Sequence, residues 1–110
     1  MEAKEIIINN AVVAFLKKLT TTLYQKEYFG FLETTENYVN DLIDGMYAQL
    51  LNDKYHETPG ELKHYGSYYL TVKGGKRTTW YVFFDKNENR YVIEFITNNH
   101  MPQSAYLNKL

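Results

Sequence analysis

From Val12 onward the apolar positions run Val12, Phe15, Leu16, Leu19 and Leu23, a spacing of three and four that lays one stripe along a helix of about four turns. Val39, Leu42, Ile43, Met46 and Leu50 repeat the stripe. Between the two, Tyr28-Phe29-Gly30-Phe31 breaks the period, and Gly30 suits a bend. Asn9 or Asn10 is expected to cap the first helix. Thr34-Thr35 followed by Glu36 predicts the start of the second, with the acid in its first turn facing the positive end of the helix dipole. Gly45 within the second stripe costs about 1 kcal/mol against Ala, which points to close packing between the helices. Ahead of the first helix, residues 5–8 suit a short edge strand.

Beyond the turn-rich residues 52–60, which include Asn52-Asp53 and Thr58-Pro59-Gly60, the period changes to two. Residues 68–72, 78–84 and 91–97 are rich in β-branched and aromatic side chains and predict three strands. Lys73-Gly74-Gly75-Lys76 predicts a tight hairpin, because glycine accepts the positive φ of such turns. Asp85-Lys86-Asn87-Glu88-Asn89 predicts a longer one. The middle strand, T-T-W-Y-V-F-F, is apolar on both faces, as at a sheet centre. The predicted order is β-α-α-β-β-β with a short tail: an α+β fold, two helices packed on one face of an antiparallel twisted sheet, in one domain over residues 1–110. Helices cover one face only, so the other is half-wet, covered by the tail, or covered by a partner.

Composition adds two constraints. Tyr supplies 11 residues of a 16 % aromatic share, which suits half-buried sheet surfaces and interfaces. The chain contains no cysteine, which excludes disulfides, thiol chemistry and thiolate metal sites. The opening M-E-A-K-E-I-I-I reads as neither signal peptide nor membrane span, so a cytoplasmic location is expected. The net charge of −1 conceals an asymmetry: residues 1–60 carry 5 Lys/Arg against 9 Asp/Glu, and residues 61–110 carry 7 against 4. The carboxy-terminal half is either ordinary solvated surface or a face that attracts an anionic partner.

Candidate chemistry is sparse. His56, His64 and His100 show no metal-ligand spacing, so no metal or other cofactor is expected. Gly74-Gly75-Lys76 lacks the remaining glycine and the following helix of a phosphate-binding loop. His100 closes the last strand after Asn98-Asn99; such a histidine either caps a turn or serves as a general acid or base on a rigid sheet. Arg77 opens the middle strand, as an exposed charge guarding the hairpin or as a ligand for an anion. A meander with strands over 77–84 and 90–97 sets residues 77 and 97 roughly opposite, with His100 just beyond.

The pattern Tyr68-Tyr69, a Gly-rich hairpin, Arg77-x-x-Trp80, then His100 with Tyr106 resembles the RelE/ParE toxin superfamily, over roughly residues 5–107. The resemblance implies the toxin of a type II toxin–antitoxin pair, with a cognate antitoxin protein as partner and, in its messenger-cleaving branch, metal-independent cutting of mRNA on the ribosome. By the same resemblance Arg77 would stabilise the phosphorane and His100 would protonate the leaving 5′-oxygen. Tyr106 is similar to a carboxy-terminal tyrosine of the family, and Lys63, beside His64, lies where the family places a base for the 2′-hydroxyl. Tyr69, Trp80 or Tyr81 would stack splayed bases, and His64, Lys76 and Arg90 are further candidates for binding the substrate. Met101 stands where the family has arginine, and the isoelectric point is near 6.3. The alternatives of another class are a non-catalytic module on the same fold that binds a protein partner, and a homodimer joined through its aromatic face.

Overall fold

The computed structural model describes residues 3–25, 32–75 and 77–100. β1 (Glu5–Ile8) leads into α1 (Asn10–Gln25) and α2 (Leu32–Leu51), followed by β2 (His56–Glu57), a short 3-10 turn (Gly60–Leu62), β3 (Tyr68–Lys73), β4 (Thr79–Asn87) and β5 (Arg90–Asn98). The strands form one sheet in the order β1-β5-β4-β3-β2, which puts the doubly apolar β4 at the centre. The fold is α+β, as the hydrophobic pattern predicts, but the sheet is mixed: β1 runs parallel to β5, with Glu5 opposite Arg90 and Ile8 opposite Ile93. A strand that enters the sheet after no hairpin is free to pair in either direction, and the chain alternation of β1 carries no sign of which. β2 was hidden in the turn-rich stretch; it pairs with β3 over only two residues.

Asn9 caps α1, its side chain accepting the Ala11 N–H at 2.7 Å. Both predicted stripes face the sheet: Val12, Leu16, Val39, Leu42, Met46 and Leu50 are buried with Leu70, Val82, Phe84 and Ile93 in one core. Leu23 and the Tyr28–Phe31 break lie outside the described side chains. α2 begins at Leu32, so Glu36 sits in its second turn and not its first. Gly45 faces β3 and not α1: a Cβ there would lie 2.7 Å from Val72 Cγ1. Asp53 ends α2 at φ 55, with Lys54 N–H bonded to Gln49 O and Asp53 N–H to Leu50 O, the two bonds of a Schellman motif.

The two hairpins exchange the lengths expected of them. Asn87 pairs with Arg90, so the second turn is only Glu88-Asn89, with Glu88 at φ 55. Lys73 pairs with Thr79, leaving five residues in the Gly-rich loop. β4 therefore extends three residues further than the apolar run. Glu94 is an extra residue in β5, since Phe83 pairs with Phe95 but Phe84 with Ile93. The bulge moves the alternation by one, so that Tyr91, Ile93 and then Ile96 face the helices while Phe95 faces away.

Away from the helices the sheet shows three rows across β3, β4 and β5: Tyr69–Phe83–Phe95, Thr71–Tyr81–Thr97, and Lys73–Thr79 with Asn99. Residues 60–66 strap the first row. Leu62 is buried with Tyr69 and Phe83, and Tyr65 stacks on Phe95 at 4.4 Å. Gly66 lies so flat on β4 that a Cβ would meet Phe84 N at 2.7 Å. The second face is thus covered, in part, by a segment of the chain with no regular structure beyond one 3-10 turn.

Candidate functional site at the hairpin end of the sheet

The sheet end formed by the last residues of β3, the start of β4 and the end of β5 holds His100 and adjoins Arg77. Asn98-Asn99-His100 fasten β5 to the residues that precede β4. Asn99 Oδ1 accepts the Thr79 N–H at 3.0 Å and its Nδ2 donates to Arg77 O at 2.9 Å. His100 N–H donates to Asn98 Oδ1 at 2.8 Å, and its ring Nε2 shares a hydrogen bond of 3.1 Å with Thr78 Oγ1. Lys73 Nζ donates to Thr79 Oγ1 at 3.1 Å. The fixed backbone of an antiparallel pair makes these short side chains reach across strands without long flexible linkers.

The register differs from the expected one by four residues. Tyr81, not Arg77, lies opposite Thr97. The consequence is favourable to the pairing inferred from the sequence: His100 comes level with Thr78, one residue from Arg77, instead of beyond it. Arg77 is exposed, and the one ion pair among the described residues is elsewhere, between Lys4 and Asp53. No acid occurs within residues 66–84 or 95–110, whereas Lys73, Lys76, Arg77, His100 and Lys109 do. On the helix side Asp41 lines a cleft of about 180 Å³ with Tyr38, Leu42, Lys73 and Gly74.

Several expected site residues sit elsewhere. Trp80 is 2 % exposed, packs edge-on against Phe15 at 6.1 Å, and donates its Nε1–H to Tyr38 Oη at 3.0 Å, so it cannot stack a base. The alternation that sends Tyr81 to the open face sends Trp80 to the helices. Tyr69 is 9 % exposed beneath Leu62, and burial followed by the charge of nearby Tyr81 pushes its hydroxyl pKa up. Lys63 and His64 are exposed on the strap, where the His64 ring lies 4.0 Å from Tyr65. Tyr65 covers the Phe83 row, and Phe83 is four residues from Thr79, or about 13 Å along a strand. Lys63 is therefore removed from the His100 end. Arg90 opens β5 at the opposite end of the sheet, eight residues and about 26 Å before Asn98. Lys76 and Tyr106 lie outside the described residues.

Tyr81 remains as a half-buried ring on the open face, at the margin of the Leu62–Tyr69–Phe83 cluster. Lys73, Thr78, Thr79 and Asn99 were not singled out by sequence pattern. The alternation Tyr69, Thr71, Lys73 was the available signal for Lys73; nothing local marks the other three, whose roles arise from cross-strand register. Among the described residues no three His, Cys, Asp or Glu side chains form a group able to hold a metal ion, and no helix is long and apolar enough to cross a membrane. Three surface clefts among the described residues, of about 180 to 210 Å³, are smaller than the roughly 300–1,000 Å³ of small-molecule pockets. Neither Arg77 nor His100 lines any of them.

No family model, no curated protein and no solved structure matches this chain.

Proposed function

We propose that the protein is the toxin-like component of a type II toxin–antitoxin pair, of the RelE/ParE kind, and that it cuts messenger RNA with its own side chains. The observation that supports this reading is the 3.1 Å hydrogen bond between His100 and Thr78, the residue that follows Arg77, within stretches of sequence (66–84 and 95–110) that contain no acid. An RNA strand on this end offers a phosphate to Arg77, whose guanidinium spans two non-bridging oxygens and offsets the charge that builds there. The 2′-hydroxyl oxygen attacks phosphorus, the bond from phosphorus to the 5′-oxygen breaks, and the 2′-hydroxyl proton leaves to water. His100, as imidazolium, donates Nε2–H to Thr78 and gives its Nδ1 proton to the departing 5′-oxygen. The products are a 2′,3′-cyclic phosphate and a 5′-hydroxyl. In this reading a cognate antitoxin protein covers the cationic end, and ribosome-bound messenger is the target.

Induced expression in a bacterium tests the reading. Wild type arrests growth and yields transcripts ending in cyclic phosphate, while Arg77→Ala and His100→Ala lower cleavage by about 10²–10⁴-fold and relieve the arrest. Unchanged growth with intact transcripts on wild-type expression removes the proposal.

A further inference from the structure

The sheet has two long borders, and the fold closes them differently. On the β3 side α2 reaches over the border, and Gln49 Nε2 donates to Thr71 O at 3.0 Å. On the β5 side β1 pairs with residues 90–93 and ends at Ile8, where Asn9 turns the chain into α1. β5 continues from Glu94 to Asn98 with no neighbour on that side among the described residues. Asn99 N–H donates to Thr79 O at 3.2 Å, so by alternation Thr97 and Phe95 also turn their backbone groups to β4. Ile96 and Asn98 turn theirs outward, and Ile96 makes no backbone bond to α1 or β1 among the described residues. A border of this kind is a template for another strand.

Beside this border lies a cleft of about 200 Å³, lined by Ala11, Val12, Phe15, Glu94, Phe95 and Ile96. All but Glu94 are apolar. Glu94, the bulge residue, is half-buried and forms no ion pair among the described residues. α1 runs from the level of Glu94 towards that of Asn98: Ala11 and Val12 line the cleft, and Phe15 meets Trp80, the register partner of Asn98. Lys18 follows Phe15 by three residues on the same side of the helix, exposed and likewise without an ion pair among the described residues. An acid thus stands at one end of the border and a cation towards the other, with apolar side chains between them.

We infer that this border is the interface of a homodimer, in which residues 94–98 of two copies pair antiparallel about a two-fold axis at Ile96. Glu94 then lies opposite the partner's Asn98, and Ile96 exchanges its outward N–H and C=O bonds with the partner's Ile96. The reversal of direction also brings the partner's Lys18 to the level of Glu94. A charge without an answer inside one chain finds one in the other, and the symmetry makes the contact twice. Pairing stops at Glu94 because Ile93 is already paired with Ile8 of its own β1. The two clefts close on each other, and two sheets become one continuous sheet. A second copy is the fitting occupant because the border is complementary to itself. The dimer is independent of the RNA-cleaving reading.

The test is sedimentation equilibrium of the full chain from about 1 µM to about 1 mM, the span of weak to moderate complexes. A monomer passing to a dimer, with no larger species, is the expected result. Glu94→Lys turns both charge contacts from attraction to repulsion and raises the dissociation constant by roughly 10- to 30-fold. Lys18→Glu does the same, and Glu94→Lys combined with Lys18→Glu returns to within about threefold of wild type. Hydrogen exchange reads the strand pairing directly: the Ile96 amide exchanges more slowly at high than at low protein concentration. Thermal melts confirm that each variant is folded. A monomer throughout the concentration span overturns the inference and leaves Glu94 as a charge that guards a bare edge. A dimer that tolerates both single reversals while Ile96 exchanges freely uses another face and equally overturns it. So does a basic peptide that slows Ile96 exchange where the chain alone stays monomeric.

Discussion

Where β4 turns into β5, the lysines are engaged by their neighbours; at the other end of the same sheet Lys73 shares a cleft with Asp41, and Arg77 forms no ion pair among the described residues. Lys4 donates to Leu50 O at 2.9 Å, Leu51 O at 3.3 Å and Asp53 Oδ1 at 2.7 Å, and so caps the last carbonyls of α2 from β1. Lys86 lies 5.7 Å from the ring centres of both Tyr55 and Tyr91, and Tyr55 meets Phe84 edge-on at 5.1 Å. At the hairpin end Lys73 has a threonine hydroxyl and Arg77 is exposed. The two ends differ in what their charges do for the fold. A cation that caps a helix or covers tyrosine rings contributes to the folded state, whereas unneutralised cations in a group raise its self-repulsion.

The largest expected effect breaks the engaged end from within. Phe84 is fully buried among Tyr55, Tyr68 and Tyr91, so Phe84→Ala should lower unfolding free energy by about 3–5 kcal/mol in urea titration. A loss within about 0.5 kcal/mol would show that this aromatic group does not anchor the sheet. Gly66→Ala probes the strap between the two ends. Its Cβ would press on backbone at 2.7 Å, for a loss of about 1–3 kcal/mol and increased protease cleavage within residues 60–66.

A pH series sharpens the comparison next. The Tyr91 pKa is raised by burial and by its hydrogen bond with Tyr55, and that of Tyr69 by burial. Lys86 is raised by its hydrogen bond with Tyr55, and Lys4 by its bond to Asp53. All four shifts are upward, so the unfolded chain releases these protons first. Stability is then full below the unfolded values of 10.0 for tyrosine and 10.5 for lysine and falls as pH rises through the folded ones. Urea midpoints measured between about pH 9 and about pH 12 should decline, and Tyr91→Phe should decline less steeply. The smallest effect concerns the hairpin end. Arg77→Ala should leave stability within about 0.5 kcal/mol by thermal melting. A large loss there would dissolve the contrast between the ends.

Much of the fold was legible because its signals are local. The stripes Val12–Leu16 and Val39–Leu50 mark the buried sides of both helices, and the apolar run through Trp80 and Phe84 marks the central strand. The turns were less legible. Glu88 adopts a positive φ that its residue type does not announce, so a two-residue hairpin appears where five polar residues suggested a longer one. Gly74 is needed where it stands because a Cβ would meet Trp80 Nε1 and Tyr38 Oη at 2.5 Å, a reason invisible without the packing. The candidate site inherits these differences. Hairpin length sets register, and register brought His100 to Thr78.

The sequence by itself determined the α+β composition of the chain, the buried sides of α1 and α2, the central place of β4, and the concentration of cations in the carboxy-terminal half. These follow from side-chain period and charge, properties that a segment carries alone. Tertiary structure decided the parallel pairing of β1, the bulge at Glu94, the strap over Phe83 and Phe95, and the burial of Trp80 beside a half-exposed Tyr81. Each depends on what a residue meets across the sheet. A strand's alternation says that neighbouring side chains part to opposite faces; only the covering of those faces says which becomes core and which is left to a partner.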